Sequence, residues 1–143
     1  MKRIIIIGAT SGIGHEVAKH YIKKGYQVGV AGRRIERLKA LQAIAPTQVH
    51  FQQLDVTTEE APSQLLKLID QLGGMDIFLL CSGIGHQNRC LHQAIEMDTI
   101  ETNVKGFTRM VLAAYHYFSG HGGGHIAVIS SIAGTKGLGV APS

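Results

Sequence analysis

Ile4-Ile5-Ile6-Ile7-Gly8-Ala9-Thr10-Ser11-Gly12-Ile13-Gly14 decides the architecture of this 143-residue chain. Four consecutive β-branched residues predict a strand buried on both faces. Three glycines then allow a turn tighter than residues with a β-carbon permit. Helical periodicity resumes at once over residues 12–24, with Ile13, Val17 and Tyr21 on one stripe flanked by Ala18 and Ile22. Gly25 stops that helix. Such a turn suits one of two uses. It packs a helix closely on a strand, or it lets a pyrophosphate approach the free N–H groups and dipole of a helix N-terminus. In the second use Gly8, Gly12, Ile13 and Gly14 offer main chain, and Thr10 and Ser11 add hydroxyls. The Gly-Lys-Ser/Thr ending of a phosphate-binding P-loop is absent.

Strand-like and helix-like segments alternate outward from this turn. Residues 27–31 form a second strand, and 34–45 a helix with Ile35, Leu38 and Leu41 on one face and Pro46 just beyond. Residues 49–54 are a third strand. A helix is expected from Thr57 or Thr58, where Thr57 and Glu60 have capping-box spacing and Pro62 falls near the first turn. Residues 76–81 are a fourth strand. Residues 97–118 read as the longest helix, with Ile100, Val104, Phe107, Val111, Tyr115 and Phe118 stepping by three or four. A glycine-rich turn over 119–124 leads to a fifth strand at 125–130. This alternation predicts an α/β fold: a Rossmann-like, doubly wound parallel sheet with helices on both faces and five strands present. Residues 1–143 form one nucleotide-binding domain on this reading.

Composition excludes several classes. Apolar residues are 45% and charged residues 17%, which is incompatible with intrinsic disorder. The longest apolar run, Met110 to Tyr115, is far short of the roughly 20 residues of a membrane helix. Lys2 and Arg3 precede an apolar stretch that stops at Gly8, too short for a secretory signal. The net charge of +4 is scattered apart from Arg33, Arg34, Arg37 and Lys39, and no aromatic residue interleaves with that cluster, so nucleic acid is not the expected partner. The cluster suits a phosphorylated small molecule. Cys81 and Cys90 are too few for a disulfide framework and are expected as reduced thiols in the cytoplasm. His121 and His125 lie in a glycine loop rather than on a helix face, so no metal site is expected.

The second strand ends at Gly32, where the ribose of a dinucleotide should lie. An Asp or Glu there would accept from the ribose 2′-hydroxyl and repel a 2′-phosphate. Here a residue without a side chain is followed by Arg33 and Arg34, which can hold phosphate bidentately. The expected cofactor is NADP(H) rather than NAD(H).

In these features the chain resembles the short-chain dehydrogenase/reductase family of the compact single-domain type. Its Ile7-Gly8-Ala9-Thr10-Ser11-Gly12-Ile13-Gly14 is similar to that family's T-G-x-x-x-G-x-G, with Ile7 in place of Thr. The resemblance implies that Asp55, in Leu54-Asp55-Val56, accepts from the adenine amino group while Val56 lines the ring edge. Asp55 also suits a strand-end turn. Leu80-Cys81-Ser82-Gly83 falls where the family has N-N-A-G, keeping the glycine and losing both Asn side chains. Ser82 and Gly83 are implied cofactor contacts. Asn103 matches an Asn that organises a proton-relay water. Ser131, with Gly134 completing S-x-x-G, matches the catalytic Ser that polarises the carbonyl or alcohol substrate. His86, Gln87 and Arg89 fall in the segment that should border the substrate cleft. Such enzymes transfer hydride between nicotinamide and substrate while a Tyr moves the proton and a Lys lowers that Tyr's pKa.

The family's Tyr-x-x-x-Lys motif is not among the 143 residues. Tyr21 and Tyr115 read as core residues, and Tyr26 and Tyr117 as partly buried ones. The chain is therefore expected to be the N-terminal part of a longer enzyme and inactive alone. The alternative is a non-enzymatic NADP(H)-binding or sensor module. The resemblance further implies a homo-oligomer for the complete protein, built on the long helix.

Overall fold

A computed structural model of the chain describes residues 2–10 and 12–131. The elements follow in the order β1 (Arg3–Ile7), α1 (Gly12–Lys23), β2 (Gln27–Gly32), α2 (Ile35–Ile44), β3 (Val49–Gln53), α3 (Ala61–Leu72), β4 (Ile77–Leu80), α4 (Gln93–Ile100), a π-helical turn (Glu101–Gly106), α5 (Phe107–Gly120) and β5 (His125–Val128). The strands form one parallel sheet ordered β3-β2-β1-β4-β5. Ile5 sits opposite Gly29 on one side and Phe78 on the other. The fold is the Rossmann-like one expected.

β1 is buried along nearly its whole length because its alternating isoleucines feed two cores. Ile4 and Ile6 pack with Val28, Val30, Ala18, Leu38 and Leu41 under α1 and α2. Ile5 and Ile7 pack with Phe78, Leu65, Leu68, Met110 and Ala114 under α3 and α5. Truncating one of these isoleucines to Ala would cost about 2–5 kcal/mol, the transfer energy of the lost methyls plus the cavity left behind. Among the described residues, no helix is long and apolar enough to cross a membrane.

Three expected details differ. In α1 the buried residues are Gly14, Ala18 and Ile22, and Ile13 is 58% exposed. Small residues bring this helix close to the sheet and leave Val17 and Tyr21 half-buried at its side. α3 begins at Ala61, and no capping box forms. Thr57 instead turns back on Asp55, whose Oδ1 accepts from the Thr57 amide at 2.9 Å and from its hydroxyl at 2.7 Å. The single long helix is α4, a π-helical turn and α5. The core-facing residues of α5 are Met110, Ala114 and Phe118, while Val104, Phe107 and Tyr115 are exposed.

Candidate functional site

The strand order reverses direction at β1, with β2 on one side and β4 on the other. Loops leaving the C-terminal ends of β1 and β4 therefore diverge, and a crevice opens between them. The crevice is open to solvent, and its cavity volume is about 120 Å³. Gly8 and Thr10 line it from the β1 turn, Gly32, Arg33 and Arg34 from the end of β2, and Leu54, Asp55 and Val56 from the end of β3. Cys81, Ser82, Gly83 and Ile84 come from beyond β4, and Thr102 from the π-helical turn.

Packing fixes the floor. Gly8 has φ +87°, and a β-carbon there would meet the Ser82 amide nitrogen at 2.7 Å. Gly14 carries the first turn of α1 directly over Gly8, so a β-carbon would collide with the Gly8 carbonyl oxygen. Gly12, at φ +59°, faces open space, and a β-carbon added there would have no atom within 4 Å. The first turn of α1 contains no acidic residue. Gly12 lines a depression with Thr10, His15, Arg37 and Ala40, so an anion that approaches the α1 N-terminus there meets no acidic side chain among the described residues. Ile13 stands exposed beside it, and Ser11 lies outside the described residues.

The β2 end is cationic. Arg33 and Arg34 line the crevice, and Asp55 is the only acid among its described lining residues. Arg34 Nη2 donates to Thr10 Oγ1 at 3.0 Å, and Arg37 Nη1 donates to the Thr10 carbonyl at 3.2 Å. Gln53 Nε2 donates to the Arg33 carbonyl at 3.0 Å. Arg37 belongs to the basic cluster of the sequence, and its hold on the glycine turn is a feature that only the structure reveals. Its position three residues after Arg34, on one face of α2, is the sequence signal that points toward it.

The far rim is organised by amides. Asn103 Oδ1 accepts from the Ile84 amide at 2.9 Å, and Asn103 Nδ2 donates to the Ile84 carbonyl at 2.6 Å. Arg109 Nη1 donates to the Val56 carbonyl at 2.6 Å. The π-helical turn and the start of α5 thereby hold both the β3 and β4 loops. Asn88 is 2% exposed; its Nδ2 donates to the His92 carbonyl and to Glu96 Oε1, and its Oδ1 accepts from the His92 amide. The Asn88 bonds have no sequence signature beyond an Asn in a loop. His86 and Gln87 line a separate shallow depression with Ala94, Ile95 and Asp98. Burial pushes the Cys81 thiol pKa up, so the side chain on this rim stays neutral. Ser131 is exposed, three residues beyond β5 at the same end of the sheet, and Gly134 lies outside the described residues. Among the described residues no three His, Cys, Asp or Glu side chains group as a metal site.

The family model for short chain dehydrogenase matches residues 2–143. An uncharacterised oxidoreductase of Staphylococcus haemolyticus is 32% identical over 136 residues, covering 92% of this chain and 59% of that protein. The structure of ElxO with NADP bound superposes with a TM-score of 0.87 at 27% identity, over 98% of this chain and 59% of that one. The closed form of serine dehydrogenase complexed with NADP+ gives 0.88 at 28% identity, over 96% and 57%. The chain thus spans under two thirds of the length of these relatives. By a family match that runs from the first strand past the last described residue, the chain belongs to the short-chain dehydrogenase family.

Proposed function

We propose that the crevice binds NADP(H), and that the chain is the cofactor-binding part of an oxidoreductase acting on a carbonyl or alcohol substrate. The observation that carries this reading is the pairing of a glycine-built, acid-free N-terminus of α1 with Arg33 and Arg34 beside Gly32. A diphosphate fits that N-terminus, and a 2′-phosphate fits the arginine pair. The NADP-bound ElxO and serine dehydrogenase structures support the same reading by similarity of fold.

On this reading Gly12, Ile13 and Gly14 present main-chain N–H groups to the diphosphate and the Ser11 hydroxyl is assigned to it from the sequence, while the Gly8 N–H, expected to join them, is instead donated to the Ala31 carbonyl at 2.9 Å. Arg33 and Arg34 neutralise the 2′-phosphate. Val56 flanks the adenine, and the Asp55 carboxylate, steadied by Thr57, accepts from its amino group. Ser82 and Gly83 meet the nicotinamide-side ribose through main chain. Bound nicotinamide supplies or accepts hydride. Ser131 polarises the substrate oxygen, and Asn103 holds the Ile84 loop at the edge of the reaction space.

The proton-moving Tyr and its Lys are not among these 143 residues. Loss of a general acid–base costs about 10²–10⁴ in rate. The 143-residue polypeptide is therefore proposed to be inactive alone, with the missing groups supplied by a longer chain. Titrating NADPH and NADH against the intact protein tests the cofactor reading. NADPH should bind at least about tenfold more tightly, the scale of one charge-assisted contact to the 2′-phosphate, and equal affinities would overturn it. Steady-state NADPH oxidation by the 143 residues alone at an ordinary rate would overturn the incompleteness.

A further inference from the structure

Thr10 is reached from three sides by residues of the second βα unit. It is 7% exposed. Its hydroxyl accepts from Arg34 Nη2 and its carbonyl from Arg37 Nη1. Its methyl lies over Gly32, where a β-carbon would come within 2.7 Å of Thr10 Cγ2. The methyl contact fixes the Thr10 side chain, and its hydroxyl is then directed at the Arg34 guanidinium. Gly32 thus does more than leave room for a phosphate: it makes room for Thr10.

We propose that Thr10 is a positioning residue for cofactor choice, aiming Arg34 into the crevice at the 2′-phosphate rather than holding the diphosphate itself. The inference rests on the NADP(H) reading above. An unrestrained Arg side chain loses rotamer entropy when it grips a ligand, and ordering it before the ligand arrives removes part of that cost from binding. A guanidinium has five N–H donors, enough to hold Thr10 and a phosphate together. Arg33 differs, because its fixed contact is through its main-chain carbonyl to Gln53. Arg33 therefore contributes charge, while Arg34 contributes charge in a set direction.

The test is a double-mutant cycle on the intact protein, reading the dissociation constants of NADPH and NADH. Thr10→Val keeps the shape and removes the hydroxyl, and Thr10→Ala, which removes the hydroxyl and the methyl together, serves where the second valine methyl prevents folding. Either should cut the preference for NADPH about tenfold, the scale of one hydrogen bond to a charged group, with NADH binding nearly unchanged. Thr10→Ser, which keeps the hydroxyl and loses the methyl contact at Gly32, should restore part of the preference. In an Arg34→Ala background the loss of the hydroxyl should change the preference no further. Equal weakening of both cofactors, or an undiminished effect without Arg34, would overturn the inference. A wild type that prefers NADPH beside a hydroxyl-less variant that prefers it equally would overturn the inference alone. A wild type without preference would overturn the cofactor reading beneath it.

Discussion

Glycines of the β1–α1 turn do different jobs, and the difference is measurable residue by residue. Gly14 is needed for contact. Its missing β-carbon lets α1 rest on the Gly8 carbonyl, an atom that cannot swing away. Gly14→Ala should destabilise the fold by about 1–3 kcal/mol, the usual range for overpacking against rigid neighbours, and lower the melting temperature. Gly12 is needed for access and for its left-handed backbone. A methyl there meets no atom within 4 Å apart from its chain neighbours, so Gly12→Ala should cost only the roughly 1–2 kcal/mol of left-handed strain. On the proposed cofactor reading it should nevertheless weaken dinucleotide binding by about tenfold or more, because the methyl would stand where the diphosphate is proposed to enter. Calorimetric unfolding and a binding titration on both variants separate the two roles. Swapped outcomes would refute the assignment.

At the scale of elements, two ties at opposite ends of the sheet illustrate what periodicity does and does not reveal. At the N-terminal end, Asp76 before β4 accepts from the Arg3 amide at 2.9 Å and from Arg3 Nε at 3.0 Å, while Arg3 also donates to the Gly73 carbonyl. The Arg3 hydrogen bond, opposed by partial burial, holds the Asp76 carboxyl below the usual carboxylate range. A depressed folded-state pKa contributes stability that is complete above the unfolded value of about 3.9 and is lost as pH falls through the folded one. The Asp76 side chain is 40% exposed, so the contribution is about 1 kcal/mol or less. Asp76→Asn should flatten the acid side of the stability curve and leave cofactor affinity alone, since the tie is remote from the crevice. At the crevice end, Asn103→Ala would leave the Ile84 amide without its acceptor, at about 1–3 kcal/mol. Amide exchange at Ile84 should quicken in that variant. Neither tie is legible in the sequence, because each depends on side chains meeting across 73 or 19 residues. The strands are legible, because β-branched runs and glycine punctuation are local. The capping-box spacing misplaces the start of α3 because Asp55 captures Thr57 first, leaving no free threonine to cap. In α5 periodicity misleads about the buried face for another reason. Two adjacent stripes are apolar, and a 3.6-residue period cannot say which of them meets the sheet.

At the scale of the whole molecule, that second stripe is a feature the two cores leave over. Leu112 and Tyr115 are exposed on the side of α5 turned away from Met110, Ala114 and Phe118, and Val104 and Phe107 are exposed where the π-helical turn runs into α5. Tyr115, expected inside, is 57% exposed. Large apolar side chains gathered on one exposed helix face mark an interface when they form a contiguous patch. A helix face offered by one copy can meet the same face of another about a two-fold axis, the commonest arrangement of soluble oligomers. The intact protein is accordingly expected to self-associate through α5, with a standard interface of about 1,200–2,000 Å². Placing two carboxylates on the stripe, as Leu112→Glu with Tyr115→Glu, would leave the buried cores untouched. Each copy would then present like charges to its symmetry mate with no partner for them, a cost of several kcal/mol in a desolvated interface. Sedimentation equilibrium should show the wild-type mass falling to that of a monomer in the double variant, with its circular dichroism spectrum unchanged. An oligomer of undiminished mass would place the interface elsewhere and return the stripe to the rest of the same polypeptide as its cover.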